Sequence, residues 1–159
     1  MNKYLIFLLF LGGCATVDSR VYMQDQLSVK KVWLVDFIYD SGSVEQLQKN
    51  SGDKEVKVVS TGQSPSDLQL RDDVFFLLQD DYGVSVTKDA SKATGKILLH
   101  ALHFASGGFK RLTATLESMQ SETIARVKIE NGDRNATFKN DDSFAKYAAK
   151  SIANTIAGQ

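Results

Sequence analysis

The sequence predicts an α+β domain: a mainly antiparallel sheet of about five to seven strands with two amphipathic helices packed on one face. Three observations predict it. Apolar residues alternate with period two over 110–119 and 123–130, the mark of strands with one buried face, and the strand over 96–104 carries Ile97, Leu99 and Ala101 on one face and Leu98, Leu102 and Phe104 on the other. Turn signals, Ser106-Gly107-Gly108 and Asn131-Gly132, follow two of these runs. Two further stretches, starting near 64 and 142, change to helical spacing.

In chain order, residues 15–28 are polar and without clear period, which reads as a tether. Extended, such a segment reaches roughly 45 Å. Val21 and Met23 offer the alternative of a short edge strand. Residues 29–38 form a strand with apolar side chains on both faces: Val32, Leu34 and Ile38 on one, Trp33, Val35 and Phe37 on the other. A loop rich in Ser, Gly, Asn and Asp follows over 40–53, and a second strand runs over 54–60 around Val56, Val58 and Val59.

Ser64-Pro65-Ser66-Asp67 is a helix start, with Ser64 as N-cap, Pro65 at the first helical position and Asp67 at the third, where its carboxylate is expected to answer the cap. Leu70, Val74, Leu77 and Leu78 form its stripe, Phe75 and Tyr82 widen it, and Gly83 ends it. Short strand 84–87 and a connection over 89–94 lead to the strand 96–104. The strand over 110–119 turns Leu112, Ala114 and Leu116 inward, and that over 123–130 turns Ala125, Val127 and Ile129 inward. Asn131-Gly132 predicts a hairpin whose return strand is 134–139. The last helix starts near Asp142, its stripe Phe144, Tyr147, Ala148, Ser151, Ile152, Thr155 and Ile156. The order is β-β-α-β-β-β-β-β-α, an antiparallel meander under two helices.

The first residues carry a different message. Lys3 precedes an apolar run over 4–11, too short for a bilayer span of about 20 residues. Gly12-Gly13 would break a core helix there. Leu11-Gly12-Gly13-Cys14 resembles the bacterial lipobox, and Cys14 is the only cysteine in the chain. The resemblance implies removal of residues 1–13 and a diacylglycerol thioether plus an N-acyl group on Cys14. Two or more acyl chains make a stable anchor, at about 0.8 kcal/mol per buried CH₂. Ala15, not aspartate, follows the cysteine, which in lipoprotein sorting implies the periplasmic face of the outer membrane. The expected organisation is thus a signal peptide over 1–13, a lipidated terminus and tether over 14–28, and one periplasmic domain over 29–159.

Composition narrows the function. Of 159 residues, 43% are hydrophobic and 24% charged, so the chain is neither a disordered tail nor a multi-span membrane protein. Lys plus Arg balance Asp plus Glu at 19 each, which leaves no basic footprint for nucleic acid. A lone cysteine excludes an internal disulfide and a cysteine zinc cluster.

No catalytic motif stands out, and no cofactor or metal is expected. His100 and His103 lie three apart on a strand, which sends them to opposite faces. One is expected near a sheet edge or bonded to a neighbour, the other exposed. Asp72-Asp73, Asp80-Asp81 and Asp141-Asp142 are adjacent pairs that diverge on a helix; the last caps its helix, and the others read as solvated faces. Asp36 is a carboxylate inside an apolar strand, expected at a sheet end or beside a lysine. Lys30-Lys31 and Lys110-Arg111 read as solvated strand ends, and Asn135-Ala136-Thr137 as an accidental glycosylation match. Trp33, Phe75, Phe76 and Phe104 read as core, except that adjacent Phe75 and Phe76 cannot both point inward, so one lines a groove.

Residues 67–158 resemble the YajG-type family of outer-membrane lipoproteins. The shared features are a capped helix ending in Gly83, the 96–104 strand opening a meander, and a closing helix introduced by Asn140-Asp141-Asp142-Ser143. This chain is shorter before its first strand. A looser similarity joins it to small periplasmic αβ domains of outer-membrane secretion lipoproteins and peptidoglycan-synthase activators. The resemblance implies a non-enzymatic envelope protein and assigns no functional residue beyond Cys14.

The expected function is therefore a lipid-anchored binding or scaffold domain for an envelope protein partner, attached to the membrane through Cys14. A subunit of an oligomeric envelope or secretion assembly is the alternative, and a small-ligand carrier or enzyme a weaker one. The sequence leaves the oligomeric state open.

Overall fold

A computed structural model describes residues 16–29, 31–38, 58–59, 64–103, 109–131 and 141–159. Seven strands and three helices follow in order: β1 (Thr16–Val21), α1 (Gln24–Ser28), β2 (Trp33–Phe37), β3 (Val58–Val59), α2 (Pro65–Asp80), β4 (Val86–Thr87), β5 (Gly95–His103), β6 (Phe109–Ser118), β7 (Thr123–Glu130) and α3 (Asp141–Ala157). The strands form one sheet in the order β1-β7-β6-β5-β2-β4, with β3 alongside the far end of β5. The fold is α+β, as the alternating patterns require.

The meander β5-β6-β7 is antiparallel throughout, with Leu99 opposite Ala114 and Ala114 opposite Val127. Its inward rows are those set by period two: Ile97, Leu99 and Ala101; Leu112, Ala114 and Leu116; Ala125, Val127 and Ile129, all buried. β2 departs from the expected meander. It pairs parallel with both β5 and β4, because helix α2 crosses over between β2 and β4 and returns the chain in the same direction. Trp33, Val35 and Phe37 fill its core face, while Leu34 and Asp36 on the other face are half-buried.

Both long helices lie on the same face of the sheet, side by side. α2 covers β2 and β4, and α3 covers β6, β7 and β1. Ser64 accepts the Asp67 N–H at 3.1 Å, and Pro65 opens the helix. After Asp80 the chain reverses at Gly83, whose φ of +64° suits glycine, and the Val84 N–H donates to the Leu78 carbonyl. α3 is buried on two sides, by the sheet and by α2. Ala145, Ala149 and Ala153 are therefore buried beside the expected Phe144, Ala148 and Ile152.

Two expectations are corrected. Residues 16–28 do not form a tether. β1 pairs with β7 along its whole length, from Thr16 opposite Glu130 to Val21 opposite Ala125, and α1 buries Leu27. The folded unit therefore begins at Thr16 rather than Val29. The same pairing occupies the edge of β7 that the return strand at 134–139 was expected to take, a segment that lies outside the described residues. Of the strand expected over 54–60, Val58 and Val59 are described and pair with β5.

Candidate functional site

Helix α2 places an aromatic ring half in solvent. Leu70, Val74 and Leu78 turn to the sheet, and at 100° per residue the next positions cannot all follow them. Phe75 is buried, whereas Phe76 is 52% exposed. Their rings meet edge to face, 5.4 Å apart at 88°. The Lys88 ammonium lies 5.2 Å from the centroid of each and also meets Asp72 at 3.4 Å.

Phe76 opens onto a groove of about 310 Å³ between α2 and α3. Among the described residues, Leu77 and Ala145 form its apolar base, and Asp73, Asp80, Asp81 and Lys146 line its rim. The groove joins an exposed aromatic ring to a rim that, among the described residues, carries three aspartates and one lysine. That combination suits a cationic side chain flanked by an apolar one. Phe76 is thus the groove-lining member of the Phe75-Phe76 pair.

A smaller hollow of about 170 Å³ lies on the other flank of α2. Leu34, Val35 and Asp36 of β2 line it together with Arg71, Asp72 and Phe75 of the helix, with Lys88 alongside. Asp36, the penultimate residue of β2, is half-buried and shares this hollow with Lys88, as one of the two expectations had it. Its Oδ1 accepts the Phe37 N–H at 2.8 Å, and the hollow supplies two cations. Asp72 also accepts from Arg71 at 3.1 Å, so it bridges Arg71 and Lys88 while its side chain stays 40% exposed.

His103 and Asp67 form the one buried carboxylate–imidazole contact among the described residues. Asp67 is 1% exposed, and its Oδ1 lies 2.8 Å from His103 Nε2. The Asp67 backbone answers the helix cap while its carboxylate reaches across to β5. The imidazole packs 4.6 Å from the Phe109 ring, which stacks on Phe144 at 5.3 Å. The pair thereby ties the start of α2 to the far end of β5. His100, on the other face, is half-buried, and the two histidines do not converge.

Among the described residues, no three His, Cys, Asp or Glu side chains come together as for a metal ion. No described helix is long and apolar enough to cross a membrane. Cys14, Lys30, Phe104, Asn135 and the side chains of Asp141 and Asp142 lie outside what is described. Arg111 is not a solvated strand end. It bonds Glu130 directly opposite on β7 at 2.7 Å. Lys128 meets the other Glu130 oxygen at 2.9 Å. Burial alone would raise the Glu130 pKa, but the bonds from Arg111 and Lys128 outweigh it and hold the carboxyl below its ordinary value.

No family model, no curated protein and no solved structure matches the chain.

Proposed function

We propose that this chain is a lipoprotein of the outer membrane, anchored through Cys14, whose folded domain binds an envelope protein partner in the α2–α3 groove. The anchor rests on Lys3, the apolar run over 4–11 and Leu11-Gly12-Gly13-Cys14. The resemblance of residues 67–158 to the YajG-type lipoproteins supports the same compartment. The observation that carries the binding role is Phe76, half exposed in a groove rimmed by Asp73, Asp80 and Asp81. A large aromatic ring left half in water at the mouth of a groove is the mark of a contact surface. The role is non-enzymatic, and the partner segment carries a lysine or arginine next to an apolar side chain.

Two experiments test the halves separately. Cys14→Ala is expected to leave an unprocessed precursor without incorporated palmitate; palmitate labelling of that variant would sink the anchor. A photo-reactive residue at position 76, activated in intact cells, is expected to give one dominant protein adduct. Labelling of abundant bystanders alone would sink the groove.

A further inference from the structure

We propose that the chain forms a two-fold dimer in which β1 pairs antiparallel with β1 of a second copy, centred on Ser19. β1 is the last strand of the sheet, and all six of its residues are exposed. Among the described residues nothing pairs with its outer side.

Backbone alternation says which groups are open. Tyr22 donates to the carbonyl of Ile124 at 2.9 Å, and by the β1–β7 register these two stand directly opposite. Alternate residues of an antiparallel strand bond to the same neighbour. Arg20, Asp18 and Thr16 therefore turn their backbone groups to β7. Val17, Ser19 and Val21 turn theirs outward. The Asn131 N–H, bonded to the Lys110 carbonyl at 2.8 Å, confirms the alternation from the other side of β7, since odd positions there face β6.

The sequence of the edge is complementary to itself. In Val17-Asp18-Ser19-Arg20-Val21, antiparallel pairing about Ser19 sets Asp18 opposite Arg20 of the second copy, and Arg20 opposite its Asp18. Val17 meets Val21 in the same way. Ser19 exchanges both backbone bonds with its own counterpart, and Val17 exchanges both with Val21.

Each side chain gains from the pairing. Val17 and Val21, 41% and 39% exposed, lie on the helix-side face and would cover one another. Asp18 and Arg20 lie on the opposite face, where they already form an exposed pair at 3.3 Å. Arg20 also stands opposite Arg126 across the β1–β7 ladder, a like-charge neighbour. A second Asp18 on its open side offsets that repulsion. Ser19 holds the strand in place for this, its hydroxyl 2.8 Å from that of Thr155 on α3. The same open row is a hazard for uncontrolled pairing, and a closed two-fold contact uses it up.

Charge exchange tests the register directly. The full chain, in detergent at matched solvent density, is expected to sediment at twice its single-chain mass. Asp18→Arg and Arg20→Asp, each alone, place like charges opposite one another and are expected to weaken association about tenfold or more. An equal mixture of the two variants restores opposite charges at both positions and is expected to recover the dimer. The double variant Asp18→Arg/Arg20→Asp is expected to recover it as well. Wild type at single-chain mass, single variants that associate like wild type, or a mixture of folded variants that stays monomeric would each overturn the proposal. Where far-UV circular dichroism shows a single variant unfolded, the double variant decides: a dimer supports the pairing, and a folded monomer overturns it.

Discussion

The six-membered ring of the Trp33 indole lies against the backbone of Gly95, which stands opposite it on β5. A Cβ added to Gly95 would come within 2.8 Å of the Trp33 Cε3 and Cζ3 atoms. Trp33 is among the largest fully buried side chains, so it has no free space to yield. Gly95→Ala is expected to cost about 1–3 kcal/mol, and Gly95→Val more, in urea denaturation. Trp33→Phe in the Gly95→Ala background is expected to return part of that loss.

Asp67 and His103 should be coupled in stability. Removing the imidazole takes a hydrogen-bond partner from a buried carboxylate, so His103→Ala is expected to cost about 1–3 kcal/mol. Asp67→Ala should cost a similar amount. A double-mutant cycle by chemical denaturation is expected to give an interaction energy of about 1 kcal/mol or more. A value near zero would show that the two sites act independently.

Glu130 links stability to acid. Its carboxyl is held below the ordinary value in the fold, so its contribution is fully present above the unfolded pKa. It fades as pH falls through the folded one. Wild type should therefore lose stability below about pH 4.5 partly through this group. Glu130→Gln is expected to cost up to about 1 kcal/mol at pH 7 and nothing in strong acid. Melting curves of the two proteins at pH 7 and pH 3 check it.

The ends of α2 depend on single residues. Ser64→Ala removes the acceptor of the Asp67 N–H and is expected to cost about 1 kcal/mol. Gly83 adopts a positive φ with open space around the missing Cβ, so strain rather than crowding governs substitution there. Gly83→Ala is expected to destabilise by about 1 kcal/mol and Gly83→Asn by less, in thermal unfolding.

What the sequence disclosed was local. The start of α2 was legible because cap, proline and acidic residue stand within four positions, and the inward rows of β6 and β7 because Leu112, Ala114 and Leu116, and Ala125, Val127 and Ile129, recur at every second position. β1 was not legible. Thr-Val-Asp-Ser-Arg-Val has no buried face of its own, and it becomes a strand only through β7, more than a hundred residues away. The parallel placement of β2 was hidden for a related reason, since it follows from how α2 crosses the sheet. Of the groove, helical geometry showed only that one of Phe75 and Phe76 would line it, whereas the choice of Phe76 and the approach of Ala145 and Lys146 depend on how α2 and α3 lie on the sheet. The Asp67–His103 tie joins positions 36 apart and left no mark in either neighbourhood.

The early start of β1 changes what an anchored form of this protein is able to touch. With Thr16 already hydrogen-bonded into the sheet, the leash between a lipidated Cys14 and the body is two residues, about 7 Å at full stretch. Such a body rides on the lipid headgroups and cannot fish for ligands deep in the surrounding space. In such an anchored form, a binding partner would have to come to the membrane surface, or be resident there.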